Sequence, residues 1–185
     1  MYVLAQRPDE QQKIQEEVDT VLGGNDPTMA DLKQLPYTKC VLQEVLRLHG
    51  PVPFLERIAP VDRELKFSDG SVETVPAGTA IWLMFNKAMT DPRHWGSDSE
   101  QFRPSRFDKA RRNEEVQRHP FSFTPFSAGA RNCIGQKFAQ NEALAFLAVL
   151  MQHFSVHADP EQEVVMLFEG TCTPHGFHCS FSPRH

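Results

Sequence analysis

A cysteine at position 133 lies between a glycine-bearing loop and an apolar helical pattern that runs on to Phe154. The ten residues Phe126-Ser127-Ala128-Gly129-Ala130-Arg131-Asn132-Cys133-Ile134-Gly135 give this thiol the surroundings of a metal-ligating sulfur. Such a sulfur has to be deprotonated, shielded from water and approachable by a flat cofactor. The pattern Cys133–Phe154 predicts Cys133 at a helix start, where the positive end of the helix dipole favours a negative sulfur. Backbone N–H groups around Ile134 and Gly135, lacking intrahelical partners, are expected to be free to face it. Gly129 removes a side chain from the approach path, Phe126 offers a ring beside the loop, and Arg131 can pair with a carboxylate. A lone cysteine opening a helix is most often a small buried hydrophobe, so the weight rests on the whole spacing F-x-x-G-x-R-x-C-x-G.

Length and charge bound the rest. The 185 residues suffice for one domain with a sizeable core. A net charge of −5, with no Lys/Arg run longer than a pair, argues against nucleic acid as a partner. Cys40, Cys133, Cys172 and Cys179 do not form the dense framework of a secreted disulfide scaffold, which favours a reducing compartment. The longest apolar run, Ala143–Met151, is too short to cross a bilayer, and Met1–Ala5 is too short for a signal peptide.

Periodicity predicts helices over Pro8–Leu22, ended by Gly23-Gly24, over Tyr37–His49, ended by Gly50-Pro51, and over Cys133–Phe154, the last expected to be the most buried. Short strands are expected at Arg57–Ala59, Glu64–Phe67, Val72–Val75 and Ala80–Phe85, with turns at Asp69-Gly70 and Pro76–Gly78. Pro92 to Pro125 reads as a long ordered coil. Val164–Phe168 and Phe177–Phe181 read as strands flanking a turn at Pro174–Gly176. The fold class is therefore α+β, mainly helical, with small antiparallel sheets.

On the second helix Glu44 and Arg47 stand three apart, so their side chains meet. The wheel puts Tyr37, Val41, Val45 and Leu48 at the centre of the apolar arc, with Glu44 at its edge and partly buried. An ordinary surface pair of this spacing contributes about 0.2–0.5 kcal/mol, so E-x-x-R alone says little.

Together these pieces resemble the cytochrome P450 family, the haem-thiolate monooxygenases. The F-x-x-G-x-R-x-C-x-G run is similar to the family's haem-ligand loop, with Ala130 where many members carry proline. Glu44 and Arg47 are similar to its E-x-x-R pair, and Phe102-Arg103-Pro104-Ser105-Arg106-Phe107 to its P-E-R-F segment, with Ser105 in place of the glutamate. Leu35-Pro36-Tyr37 and Asp91–Gly96 match the family's lead-in segments, and the order holds from about Tyr2 to Pro183. The resemblance implies Cys133 as axial ligand of the iron of haem b (iron protoporphyrin). Phe126, Gly129, Arg131 and Gly135 would shape that loop, Arg131 and Arg57 would meet the propionates, and Glu44, Arg47 and Arg106 would form a structural triad clamping the ligand loop. It further implies that Val52–Leu55 and the turn Pro174–Phe177 face a lipophilic substrate.

By the same resemblance, residues 1–185 form one partial domain, the C-terminal, haem-ligand half of the fold, lacking the distal helix. No catalytic residue is then expected in the chain, since the distal acid–alcohol pair belongs to that helix. The implied parent inserts one oxygen atom from O2 into its substrate, takes electrons from an NADPH-dependent reductase and sits in the endoplasmic reticulum membrane through an N-terminal part. The competing expectation is a non-catalytic truncated isoform that at most binds haem. A third, a zinc module on Cys172, His175, His178 and Cys179, is disfavoured because strand alternation sends His178 and Cys179 to opposite faces.

Overall fold

A computed structural model describes residues 1–108, 119–159 and 161–184. Six α-helices and four two-stranded antiparallel sheets make up the described residues, a mixed α+β arrangement. In chain order the helices are α1 (Tyr2–Ala5), α2 (Pro8–Leu22), α3 (Pro36–His49), α4 (Phe85–Thr90), α5 (Pro92–Trp95) and α6 (Gln136–His153). The strands are β1 (Phe54–Ile58), β2 (Arg63–Lys66), β3 (Val72–Val75), β4 (Ala80–Met84), β5 (Phe154–Ala158), β6 (Val165–Phe168), β7 (Cys172–His175) and β8 (Cys179–Pro183).

The main core is a three-helix contact. Ile14, Val18 and Leu22 of α2 meet Val41 of α3 and Leu144, Leu147, Ala148 and Met151 of α6, with Leu4 and Val156 closing the cluster. Pro8 supplies the preset first turn of α2, and Gly23 ends it in a left-handed conformation, its amide donating to the carbonyl of Asp19. Neither Leu35 nor any neighbour caps α3 locally. Instead Glu17, reaching across from α2, accepts from the Tyr37 amide at 2.7 Å and from the Thr38 amide and hydroxyl at 2.8 and 2.7 Å. A carboxylate there satisfies two orphan donors and meets the positive helix end.

A buried glutamine performs a second long-range repair. Gln11 accepts from the Val156 amide and donates to the Val156 carbonyl, both at 2.8 Å, so a side chain on α2 pairs with β5 as a strand would. Arg184 closes the C-terminal end of α6, donating to the carbonyls of Met151 and Gln152 at 2.7 and 3.0 Å while its other nitrogen meets Asp19 at 2.6 Å.

Several expectations need correction. α6 begins at Gln136 with Gly135 as its cap, so Cys133 stands in the loop before the helix rather than in its first turn. Nor is α6 deeply buried all round, since Phe138, Phe146 and Val149 stand in solvent on one stripe. The expected hairpin joining 164–168 to 177–181 does not form. β6 pairs with β7, Phe168 opposite Cys172, and β8 returns to β5, Ala158 opposite Cys179. The tight Glu169–Thr171 link closes the short hairpin, and β5, following α6 without a break, offers β8 a longer partner. Within Pro92–Pro125, Pro92–Trp95 is helical and Pro104–Phe107 makes a 3₁₀ turn; residues 109–118 lie outside the described part. On α3 the buried face is Thr38, Cys40, Val41, Glu44 and Arg47, whereas Val45 and Leu48 are only half-buried. The ion pair at the arc's edge is enclosed as fully as Val41 at its centre.

Candidate functional site

The inward face of α3 explains itself through its partners. Arg47 donates to Glu44 through Nε and Nη2, each at 2.8 Å, and both side chains are shut off from water. Its Nη1 donates to the carbonyls of Met89 and Ser99 at 2.8 and 2.5 Å, Nη2 reaches the Gln101 carbonyl at 3.3 Å, and the guanidinium lies 4.8 Å over the Trp95 ring. Arg106, from the 3₁₀ turn, sets Nε 3.3 Å from Glu44, donates from Nη1 to the Trp95 carbonyl at 2.9 Å, and meets Asp98 at 2.7 Å. Glu44 also accepts from the Arg103 amide at 2.9 Å. The Arg106 guanidinium beside Asp98 holds that carboxyl below its ordinary value. Burying charges of this kind is tolerable only because the lone pairs and N–H groups find partners.

Among the described residues these bonds tie α3 to the segment 89–103, not to the loop 126–135. The loop is reached one layer further out. Trp95, Phe107 and Phe123 pack with their rings tilted to one another, the Phe107 and Phe123 centroids 4.8 Å apart, and Cys40 closes that small second core. Ser122 and Thr124 are buried beside it. The chain leaves this anchor at Thr124 and enters the cysteine loop.

Two backbone bonds shape the loop: the Ser127 amide donates to the Thr124 carbonyl and the Cys133 amide to the Phe126 carbonyl, both at 3.0 Å. Gly129 has φ +76° and opens a short 3₁₀ turn, Gly129–Arg131. A Cβ at Gly129 would meet nothing within 4 Å, so its backbone conformation, rather than crowding by the protein, is what calls for glycine. Cys133 is exposed, and a Cβ at Gly135 would sit 3.9 Å from its sulfur, so glycine keeps that side of the thiol clear. The amides of Ile134 and Gly135 donate to no acceptor among the described residues, the Cys133 sulfur included. Ile134, next to Cys133 in the chain, is 105 % exposed, and Phe138 in the first turn of α6 is 73 % exposed. Phe126 is half-buried and Arg131 exposed.

A single open sulfur followed by the exposed apolar Ile134 suits one face of a flat, largely apolar metal macrocycle. It does not suit a hydrated divalent ion, which needs several polar ligands. Among the described residues no group of three or more His, Cys, Asp and Glu side chains could hold a metal ion, and Cys172 and Cys179 stand in different sheets.

The cytochrome P450 family model matches residues 1–179. The chain belongs to the cytochrome P450 family. It is similar to cytochrome P450 4d2 of Drosophila melanogaster, 34 % identical over 190 residues, covering 100 % of this chain and 35 % of that protein. Cytochrome P450 4V2 of Homo sapiens is 37 % identical over 166 residues, 88 % of this chain and 30 % of that protein. Taurochenodeoxycholic 6 alpha-hydroxylase of Sus scrofa is 37 % identical over 163 residues, with the same coverage of 88 % and 30 %. The chain thus spans about a third of the length of these relatives. Cytochromes P450 are haem-iron monooxygenases, and the thiol environment of this P450 chain fits that cofactor on the side the loop presents.

The remaining site residues belong to other elements. Arg57 is exposed on β1, opposite Ile81 of β4, and donates to the neighbouring Glu56 carbonyl at 2.9 Å. Phe54 stacks on Trp82 at 4.8 Å and meets Phe168 of β6 at 5.0 Å. The Cys172 amide donates to the Pro51 carbonyl at 2.6 Å. The segment 51–54 therefore meets the Phe168–Cys172 end of the last hairpin, while at the other end Phe177 packs edge-on against Tyr2. No described helix is long and apolar enough to cross a membrane.

Proposed function

We propose that Cys133 is the axial thiolate ligand of haem b in a monooxygenase that inserts one oxygen atom from O2 into a lipophilic substrate. The observation that carries this reading is the exposed thiol of Cys133, set in an amide-pinned loop that leads through the exposed Ile134 into α6. Cys133 would hold the haem iron through its thiolate, and the bound group would supply the oxygen-activating redox chemistry. The chain's own residues hold and orient. Gly135 leaves the sulfur approachable, Phe126 and Gly129 shape the loop, and Arg131 and Arg57 offer cations to the propionate carboxylates. Glu44, Arg47 and Arg106 keep the segment 89–103 on α3 and so, through Trp95, Phe107 and Phe123, support the loop's anchor. No residue of the chain is assigned proton delivery.

Residues 1–185 act as one unit, the haem-ligand part of a P450 domain whose distal helix comes from outside them. The name of the porcine relative, a taurochenodeoxycholic 6 alpha-hydroxylase, agrees with insertion of an oxygen atom. Electrons come from an NADPH-dependent reductase, and the setting is the endoplasmic reticulum membrane. The alternative is a chain that at most binds haem and does not turn over.

One spectrum tests the ligand. Reduced, haem-loaded protein under carbon monoxide shows a strongly red-shifted Soret band if the thiolate holds iron, and an unshifted band refutes the assignment. Product formation that requires NADPH and reductase then separates the monooxygenase from an inert haem binder.

A further inference from the structure

Ser127 is the one non-glycine residue with positive φ, +62°, among the described residues. The left-handed region is uncommon for residues bearing a Cβ, and worst for β-branched ones, while Gly and Asn enter it readily. Ser127 occupies it between the two bonds that shape the cysteine loop: its own amide donates to Thr124, and the carbonyl just before it, that of Phe126, accepts from Cys133. A left-handed residue at this point turns the chain back after Phe126, so that the Phe126 carbonyl and the Cys133 amide come within 3.0 Å. The side chain of Ser127 makes no hydrogen bond to a described residue, so its hydroxyl does not account for the strained backbone.

We infer that Ser127 is a positioning residue for Cys133: its left-handed backbone, not its hydroxyl, closes the loop that aims the thiol. This deepens the haem-ligand reading and rests on it only for the consequence at iron. Elsewhere in the protein strain of this kind would simply cost stability, and it persists where the surroundings over-determine it.

The role predicts an order of substitutions that a hydroxyl role inverts. Ser127→Gly and Ser127→Asn accept the conformation, whereas Ser127→Thr keeps the hydroxyl but resists it, as does Ser127→Val. The first readout needs no cofactor: hydrogen exchange at the Cys133 amide, with the Val41 amide in the core as the folding control. Thr and Val are expected to speed Cys133 exchange by about tenfold with Val41 unchanged, and Gly and Asn to leave it as slow as in the wild type. Protection kept in Ser127→Thr and lost in Ser127→Gly would overturn the proposal, as would four variants indistinguishable from the wild type. The second readout is the red-shifted band of haem-loaded, reduced, carbon monoxide-bound protein, expected to weaken in Thr and Val and persist in Gly. Should the wild type lack that band while the exchange order holds, the haem reading fails and the backbone role of Ser127 stands.

Discussion

The Glu44 carboxylate receives Nε and Nη2 of Arg47 at 2.8 Å each, with neither side chain exposed. Seen from the helix alone this is an i,i+3 pair of small consequence; enclosed, it becomes the anchor for the end of α4 and the chain that follows it to Arg103. Arg47 bonds three carbonyls between positions 89 and 101, and Glu44 takes the Arg103 amide as well. Removing either partner strands a desolvated charge and several backbone groups together.

Glu44→Ala and Arg47→Ala are therefore expected to destabilise the fold by about 3–5 kcal/mol, enough to abolish haem incorporation. Arg47→Lys should fail too, because an ammonium cannot reproduce the planar fork that serves Glu44 and the carbonyls at once. Urea denaturation followed by circular dichroism gives the loss, and wild-type stability in any of the three would refute the enclosed anchor.

Glu17 offers a gentler test of long-range capping. Glu17→Ala leaves the first amides of α3 without a partner, for an expected loss of about 1 kcal/mol. Glu17→Gln should recover part of it, since a side-chain oxygen remains, without the charge that the helix end favours. Thermal melts of the three proteins would check the order wild type, Gln, Ala.

Asp98 links this region to pH. Its hydrogen bond from Arg106 lowers the folded-state value of its carboxyl below the ordinary 3.8. A depressed carboxylate adds stability that is present above the unfolded value and is lost as pH falls through the folded one. Melting temperature should accordingly drop on acidification below about pH 4 more steeply in the wild type than in Asp98→Asn. Parallel curves for the two proteins would remove Asp98 from the account.

Cys133 should separate stability from function. Because the side chain is exposed, Cys133→Ser is expected to shift stability by no more than about 0.5 kcal/mol. The same variant should lose the red-shifted band altogether when loaded with haem and reduced under carbon monoxide. A melt and a spectrum on one preparation suffice, and a retained band would move the ligand elsewhere.

Much was legible wherever the controlling interactions are local. Pro8 and Gly23 bound α2 at the residues expected, Val72–Val75 is a strand as its alternation says, and the loop spacing around Cys133 marks the candidate ligand before any coordinate does. Proline geometry, glycine conformation and side-chain period act within a few residues, so the linear pattern carries them. Long-range pairing is another matter. The capping of α3 comes from Glu17, the strand-like partner of Val156 is Gln11, and the choice of β5 over β6 as mate for β8 passes over the whole β6–β7 hairpin. The complete enclosure of Glu44 and Arg47, where the helix wheel puts only a partly buried carboxylate at the arc's edge, belongs with these. Burial of a charge is decided by which distant carbonyls and carboxylates arrive to meet it, and helical periodicity holds no information about that.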